Sequence, residues 1–322
     1  MKRFVCILLI CLCLAGCTPN QSLKTTTYLD VFDTVTTVVG DSAAAEHIHK
    51  DLQRYHQLFD IYNTYEGIHN LKTVNDQAGI APVKVDEEII ALLSDCVELY
   101  RVTGGRVNVA MGSVLKLWHD ARQESLINPE KAYIPSDDAL AKAAGHTDMD
   151  CLVIDRERST VYLTDPEMSL DVGAIAKGWA AQRTAETAPE GMLISLGGNV
   201  VATGPKGEGT PWIVGIQDPK GSDIRQKLEL HKGAIVTSGD YQRTYTVNGK
   251  DYPHIIDPDT GMPGTLWSSV TVICQDSALA DALSTALFLL PFSEGKDLAI
   301  ECGAEAIWID KTGNLFTTEN VS

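Results

Sequence analysis

Positive charge is scarce in this 322-residue sequence: 26 Lys and Arg stand against 43 Asp and Glu, for a formal net charge of −17. The basic residues form no block, and so acidic a chain is repelled by a phosphate backbone, which argues against nucleic acid as a partner. Long apolar runs are scarce too. The one extended run, Phe4 to Ala15, falls short of the about 20 residues that a spanning helix needs. None of the eight cysteines stands in Cys-x-x-Cys spacing, which removes the usual zinc and dithiol patterns. Also missing are Gly-x-Gly-x-x-Gly after a strand, Gly-x-x-x-x-Gly-Lys-Ser/Thr, His-Glu-x-x-His and Gly-x-Ser-x-Gly. The commonest nucleotide, zinc-protease and serine-hydrolase readings lose their support with them.

What is present begins with Lys2 and Arg3, the apolar run, and then Leu14-Ala15-Gly16-Cys17. That order reads as a lipoprotein signal peptide over residues 1–16, with Cys17 as the lipidated residue. An ordinary secretory signal that happens to contain Cys17 is the alternative. Residues 17–26 then read as a lipidated polar tether and 27–322 as one folded domain, held by acyl chains at the extracytoplasmic face of the cell membrane. Cys96, Cys151, Cys274 and Cys302 remain in that domain. Their apolar neighbours favour buried structural thiols over metal ligands.

Ile48, Leu52, Tyr55 and Phe59 recur at i, i+4, i+7 and i+11, which predicts a helix opening near Asp41-Ser42. Asp86 caps a second helix that Gly104-Gly105 stop, and Ser136 starts a third that ends at Gly145. Cys151–Asp155 and Thr160–Thr164 read as a hairpin. Met192–Leu196, Trp212–Gln217, Ala234–Ser238, Tyr241–Val247, Ser269–Cys274 and Ala306–Asp310 read as strands, with a helix from about Ala278 to Leu290. Hairpins and helices without βαβ alternation predict an α+β fold with mixed or antiparallel sheets and packed helices.

At Asp171-Val172-Gly173-Ala174-Ile175-Ala176-Lys177-Gly178 a strand is expected to end and a helix to begin with Lys177 in its first turn. Such a helix start offers free N–H groups and an ammonium to an anion. Spacing alone equally allows Asp171 as an N-cap and Lys177 as a solvated residue. Asp281 and Thr285, at i and i+4, present a carboxylate and a hydroxyl on one helix face, suited to a hard cation such as magnesium. An Asp281 that merely caps or pairs fits the same pattern. The Gly197-Gly198-Asn199 turn, Thr237-Ser238-Gly239-Asp240-Tyr241 and His254-Ile255-Ile256-Asp257-Pro258 are each readable as turns and nothing more.

Together and in this order, these pieces resemble the ApbE family of FAD:protein FMN transferases over essentially the whole mature length. The resemblance implies a single ApbE-type, T-fold-like unit. It implies that Ala174 through its carbonyl, Asp281 and Thr285, with Ser284 beside them, hold Mg2+. It further implies that Asp171, Lys177, Asn108, Val109, Gly197, Gly198, Asn199, Ser238 and Ile256 contact FAD, and that Tyr62 and Asn75 close over it. Where the family shows Gly-x-Phe-Asp-x-Thr this chain has Gly105-Arg106-Val107-Asn108-Val109-Ala110, and the family's paired His is Pro253-His254. The activity implied is magnesium-dependent transfer of FMN from FAD to a threonine hydroxyl of an acceptor, expected to be a subunit of a membrane redox complex. Lys177 would neutralise charge, and His254 or Asp257 would take the proton. A magnesium-dependent FAD pyrophosphatase and a flavin-binding lipoprotein without chemistry are the alternatives.

Overall fold

A computed structural model of the chain describes residues 23–221, 223–241, 243–319 and 321. The expected signal peptide and Cys17 lie outside the described residues.

The chain opens with a ribbon, β1 (Lys24–Val31) and β2 (Thr34–Gly40). α1 (Ser42–Phe59) follows, its first turn closed by the Asp41 carboxylate accepting the Ala44 N–H. After α2 (Leu71–Asp76) and the short β3 (Val83–Lys84) come α3 (Glu87–Val102) and α4 (Gly112–Ile127). α5 (Asp137–Ala144) leads into the hairpin β4 (Leu152–Asp155) and β5 (Thr160–Leu163). α6 (Ala176–Thr187) precedes β6 (Leu193–Leu196) and β7 (Asn199–Ala202). Next are β8 (Trp212–Gln217), β9 (Ile224–Leu230), β10 (Gly233–Gly239), β11 (Tyr245–Val247) and β12 (Lys250–Tyr252). The chain ends in β13 (Trp267–Cys274), α7 (Ser277–Leu289), α8 (Phe292–Glu301), β14 (Glu305–Asp310) and β15 (Leu315–Thr317).

Among the described residues the large sheet has the order β1-β2-β6-β7-β10-β13-β14-β15, and every neighbouring pair in it is antiparallel. The fold is α+β, and of the expected mixed or antiparallel pairing the antiparallel form holds in every strand ladder. The main core lies between this sheet and the helices, with Trp179, Trp308, Phe288, Leu52 and Ile175 among its fully buried side chains. α7 is buried along nearly its whole length, which explains why its sequence is apolar or small on all sides.

Three expectations need correction. β1 starts at Lys24 and pairs with β2, so the folded unit begins inside the stretch read as tether. Polar Thr25 and Thr26 gave no burial pattern because an edge strand is held by its backbone. Tyr241–Val247 is a strand only from Tyr245, since β12 reaches no further than Tyr252 opposite it and Arg243 turns the chain with φ 46°. Among the described residues no strand runs directly into Asp171. One parallel bridge, Met111 with Ser169, stands there, because Leu170 and Asp171 are clamped by the groups described below.

Candidate active site

Two helix starts meet at the centre of the site. α6 and α7 approach so closely at Gly178 that a Cβ there would come within 2.3 Å of the Ser277 carbonyl and 2.4 Å of Asp281 Cβ. The gap is needed because the Gly178 N–H donates to Asp281 Oδ2 at 2.8 Å. Lys177 Nζ lies 3.7 Å from the same oxygen and donates to the Gly173 carbonyl at 3.4 Å. Asp281 is 3% exposed. Burial pushes its carboxyl above the usual range, opposed by Lys177, the Gly178 N–H and Asn199. Asn199 is itself buried, with its side chain beside Asp281.

Asp171 is held from both sides. Its N–H donates to the Val109 carbonyl at 2.8 Å, and its carboxylate accepts the Gly173 N–H at 2.8 Å. Burial raises this carboxyl too, against the Gly173 bond and the charges of His119, Arg243 and Lys177. Asn75 grips Leu170 with both ends of its amide, accepting the Leu170 N–H at 2.7 Å and donating to its carbonyl at 3.0 Å. Asn108 donates to the Thr147 carbonyl and accepts the Ala110 N–H.

Several of these groups border an open cleft with a cavity volume of about 260 Å³. At one end stand Ala174, Lys177, Asn199, Asp281 and Thr285. The other end is an aromatic and aliphatic lobe of Met111, Leu115, Trp118, Tyr245, Tyr252 and Ile256, where Trp118 Nε1 donates to the Gly261 carbonyl at 2.8 Å. At the mouth Tyr62 is 54% exposed and stacks on His119, ring centroids 5.0 Å apart. Burial against its surroundings, then Asp171, pushes the Tyr62 hydroxyl up to about 12. A second, smaller cleft shares Tyr62, Asp171, Gly173, Lys177 and Arg243 with the first and extends to Phe32, His56 and Asp60.

A family model described as the ApbE family matches residues 24–308. The chain belongs to the ApbE family. A curated relative from Treponema pallidum, named FAD:protein FMN transferase, is 36% identical over 260 residues, covering 74% of this chain and 70% of that protein. One of the same name from Haemophilus influenzae is 28% identical and covers 87% and 83%. The crystal structure of the ApbE protein from Thermotoga maritima superposes with a TM-score of 0.82 at 29% identity, covering 92% of this chain and 97% of that one. A flavin transferase ApbE from Vibrio cholerae, 24% identical with a TM-score of 0.76 over 92% of this chain and 98% of that one, shares the fold.

In this ApbE-family chain the residues expected at the site divide. Tyr62, Asn108, Asp171, Ala174, Lys177, Gly197, Asn199, Ser238, His254, Ile256, Asp281 and Thr285 all line the main cleft. Others stand behind it. Ser284, expected beside the metal, is fully buried on α7, its hydroxyl 2.8 Å from that of Ser238 and donating to the Asp281 carbonyl. Asn75 and Val109, expected at the FAD site, hold the backbone of residues 170 and 171. Gly198 (φ 96°) serves the turn between β6 and β7. Asp257, expected as a possible proton acceptor, is engaged by Arg106 at 3.2 Å and accepts the Asp259 N–H, both at Oδ1. Reasoning from sequence missed Trp118, His119 and Arg122 on α4, and Arg243. Val114, Trp118, Ala121 and Ser125, buried at i, i+4, i+7 and i+11, were the available signal for that helix.

Proposed function

We propose that this chain moves FMN from FAD onto a threonine hydroxyl of an acceptor protein and releases AMP. The observation that carries the reading is the convergence of Asp281, Thr285, Lys177 and the Ala174 backbone at one end of a cleft whose other end suits a flat ring. The hydroxyl oxygen bonds to the FMN phosphorus, the anhydride P–O bond breaks, and AMP leaves with that bond's electron pair. The hydroxyl proton passes to a base. His254, exposed on the cleft wall, is favoured for this over Asp257, which Arg106 occupies.

The donors suit Mg2+: a carboxylate, a hydroxyl and a backbone carbonyl are hard oxygens, and both contacts made by Asp281 use Oδ2, which leaves a carboxylate oxygen for a cation. The ion would supply positive charge to the diphosphate oxygens. Lys177 adds a second positive charge from the first turn of α6. Asn199 stands beside Asp281 on the cleft wall, and the lobe around Trp118 and Tyr252 gives the adenine or flavin ring an apolar face.

We further propose that Cys17 carries lipid and holds the enzyme at the extracytoplasmic face of the cell membrane, near flavin-bearing subunits of membrane redox complexes. The apolar run and lipobox support this. No helix among the described residues is long and apolar enough to cross a membrane. The test of function is incubation of the full chain with FAD, magnesium and a candidate acceptor domain, read by intact mass. An acceptor heavier by one FMN phosphoester supports transfer. Free FMN and AMP with an unmodified acceptor would favour hydrolysis, and unchanged FAD would leave only binding.

A further inference from the structure

The mouth of the cleft holds two guanidiniums that the reading above leaves unused. Arg122, half-buried on α4, and Arg243, in the turn before β11, both line it. Several arginines are matched with carboxylates, Arg54 with Asp86, Arg106 with Asp257 and Asp259, Arg158 with Asp155 and Arg183 with Glu186, whereas Arg225 donates to the Gly313 carbonyl. Among the described residues neither Arg122 nor Arg243 has an ion-pair partner of this kind. They lie close enough to repel one another, and burial together with that repulsion holds Arg122 below its ordinary value. Arg243 turns the chain with φ at 46°, which sets it at the rim ahead of β11.

Their setting defines what they would attract. Deeper in the cleft Asp171 and Asp281 stand with Lys177, and the whole chain carries −17. A doubly charged anion approaching such a surface is repelled unless positive charge stands at the entrance, where low-dielectric walls focus its field. We propose that Arg122 and Arg243 form a phosphate-capture site that draws the FAD diphosphate through the mouth towards Lys177. This rests on the reading of the cleft as an FAD site. FAD is chosen over an acidic group of the acceptor because both arginines line the long cleft, whereas Arg243 alone also borders the second one. The pair acts on approach, so it governs how fast the dinucleotide enters.

The test is stopped-flow association, followed by flavin fluorescence, with the full chain in detergent at several ionic strengths. FAD and riboflavin, which lacks phosphate, are the probes. The proteins are wild type, Arg122→Gln, Arg243→Gln, the double variant, and Arg122→Lys. Loss of both charges is expected to slow FAD association on the order of tenfold at low salt and to flatten its salt dependence. Arg122→Lys should keep most of the wild-type rate, and riboflavin should enter all variants alike. An unchanged FAD rate in the double variant overturns the proposal, and so does equal slowing of riboflavin, which would mark a structural role. Normal FAD entry with transfer to the acceptor impaired would reassign the pair to the protein substrate. Failure of the wild-type chain to bind FAD would bring down the FAD reading itself, a result distinct from any of these.

Discussion

Asp281 carries more of the site than any other side chain, because it is buried, ionisable and the shared partner of Lys177 and the Gly178 N–H. Removing its charge while keeping its shape separates the two roles open to it. If it holds a cation, Asp281→Asn should weaken magnesium binding by at least the about 10–100-fold that disturbing an outer-shell partner typically costs. FMN transfer should fall with it, and raised magnesium should restore part of the activity by mass action. Thr285→Val, which removes a neutral ligand of similar shape, should act in the same direction and less strongly. Calorimetric titration of magnesium into each variant decides the matter. An Asp281→Asn protein with wild-type magnesium affinity and only a shifted melting temperature would make the carboxylate a structural partner of Lys177 and nothing more.

Two junctions between elements control what these residues can do. At the α6–α7 contact, Gly178→Ala would press a methyl group against the Ser277 carbonyl and Asp281 Cβ, so the helices must part. Overpacking of this kind costs roughly 1–3 kcal/mol, and a lowered melting temperature together with weakened magnesium binding is expected. Wild-type stability and magnesium affinity in this variant would show that the helices have room to spare. Beyond α1, Asp60 accepts the Tyr62 N–H at 2.6 Å and the Asn63 N–H at 3.0 Å, and it also takes the Tyr65 hydroxyl at 2.7 Å. Burial raises the Asp60 carboxyl, but the bonds from Asn63, Tyr62 and Tyr65 outweigh it and hold the group below the usual carboxylate range. A value depressed by folding means stability that is present above the unfolded-state value and lost as pH falls through the folded one. The stability difference between wild type and Asp60→Asn should therefore shrink from about pH 7 towards pH 3 in denaturant titrations. A constant gap would show that the carboxylate charge contributes nothing to the turn that displays Tyr62. The sequence revealed elements of this scale where burial imposed a period. α1, α3 and the apolar α7 were legible, as was the β4–β5 hairpin. β1 was not, because its pairing uses backbone groups that leave no side-chain pattern. Neither was α4, whose narrow buried stripe runs among Lys116, His119, Asp120 and Arg122. The site followed the same logic: Asp281 with Thr285 is a local helical spacing, whereas Arg122 with Arg243 exists only after distant segments meet. The hydrogen bonds of Ser284 to Ser238 and of Asn75 to Leu170 likewise join segments that the sequence keeps apart.

For the whole molecule, the proposed lipid anchor makes the clearest prediction. Cys17→Ser should release the protein from the membrane or leave it as an unprocessed precursor, with its flavin chemistry intact. Membrane association of the variant that survives a high-salt wash would defeat the anchor at Cys17. The architecture of the large sheet acts over the same scale, through the seam where Thr36–Val39 meets Leu193–Leu196. That pairing closes a loop of roughly 150 residues, and contacts so distant along the chain are slow to form. Thr34 and Gly197 face each other across the end of this seam, so near that a Cβ on Gly197 would lie 2.6 Å from Thr34 Oγ1, and both border the cleft. One wall of the cleft is therefore complete only where two segments far apart in the sequence have met. A chain in which they are apart lacks part of the surface that a ligand would touch.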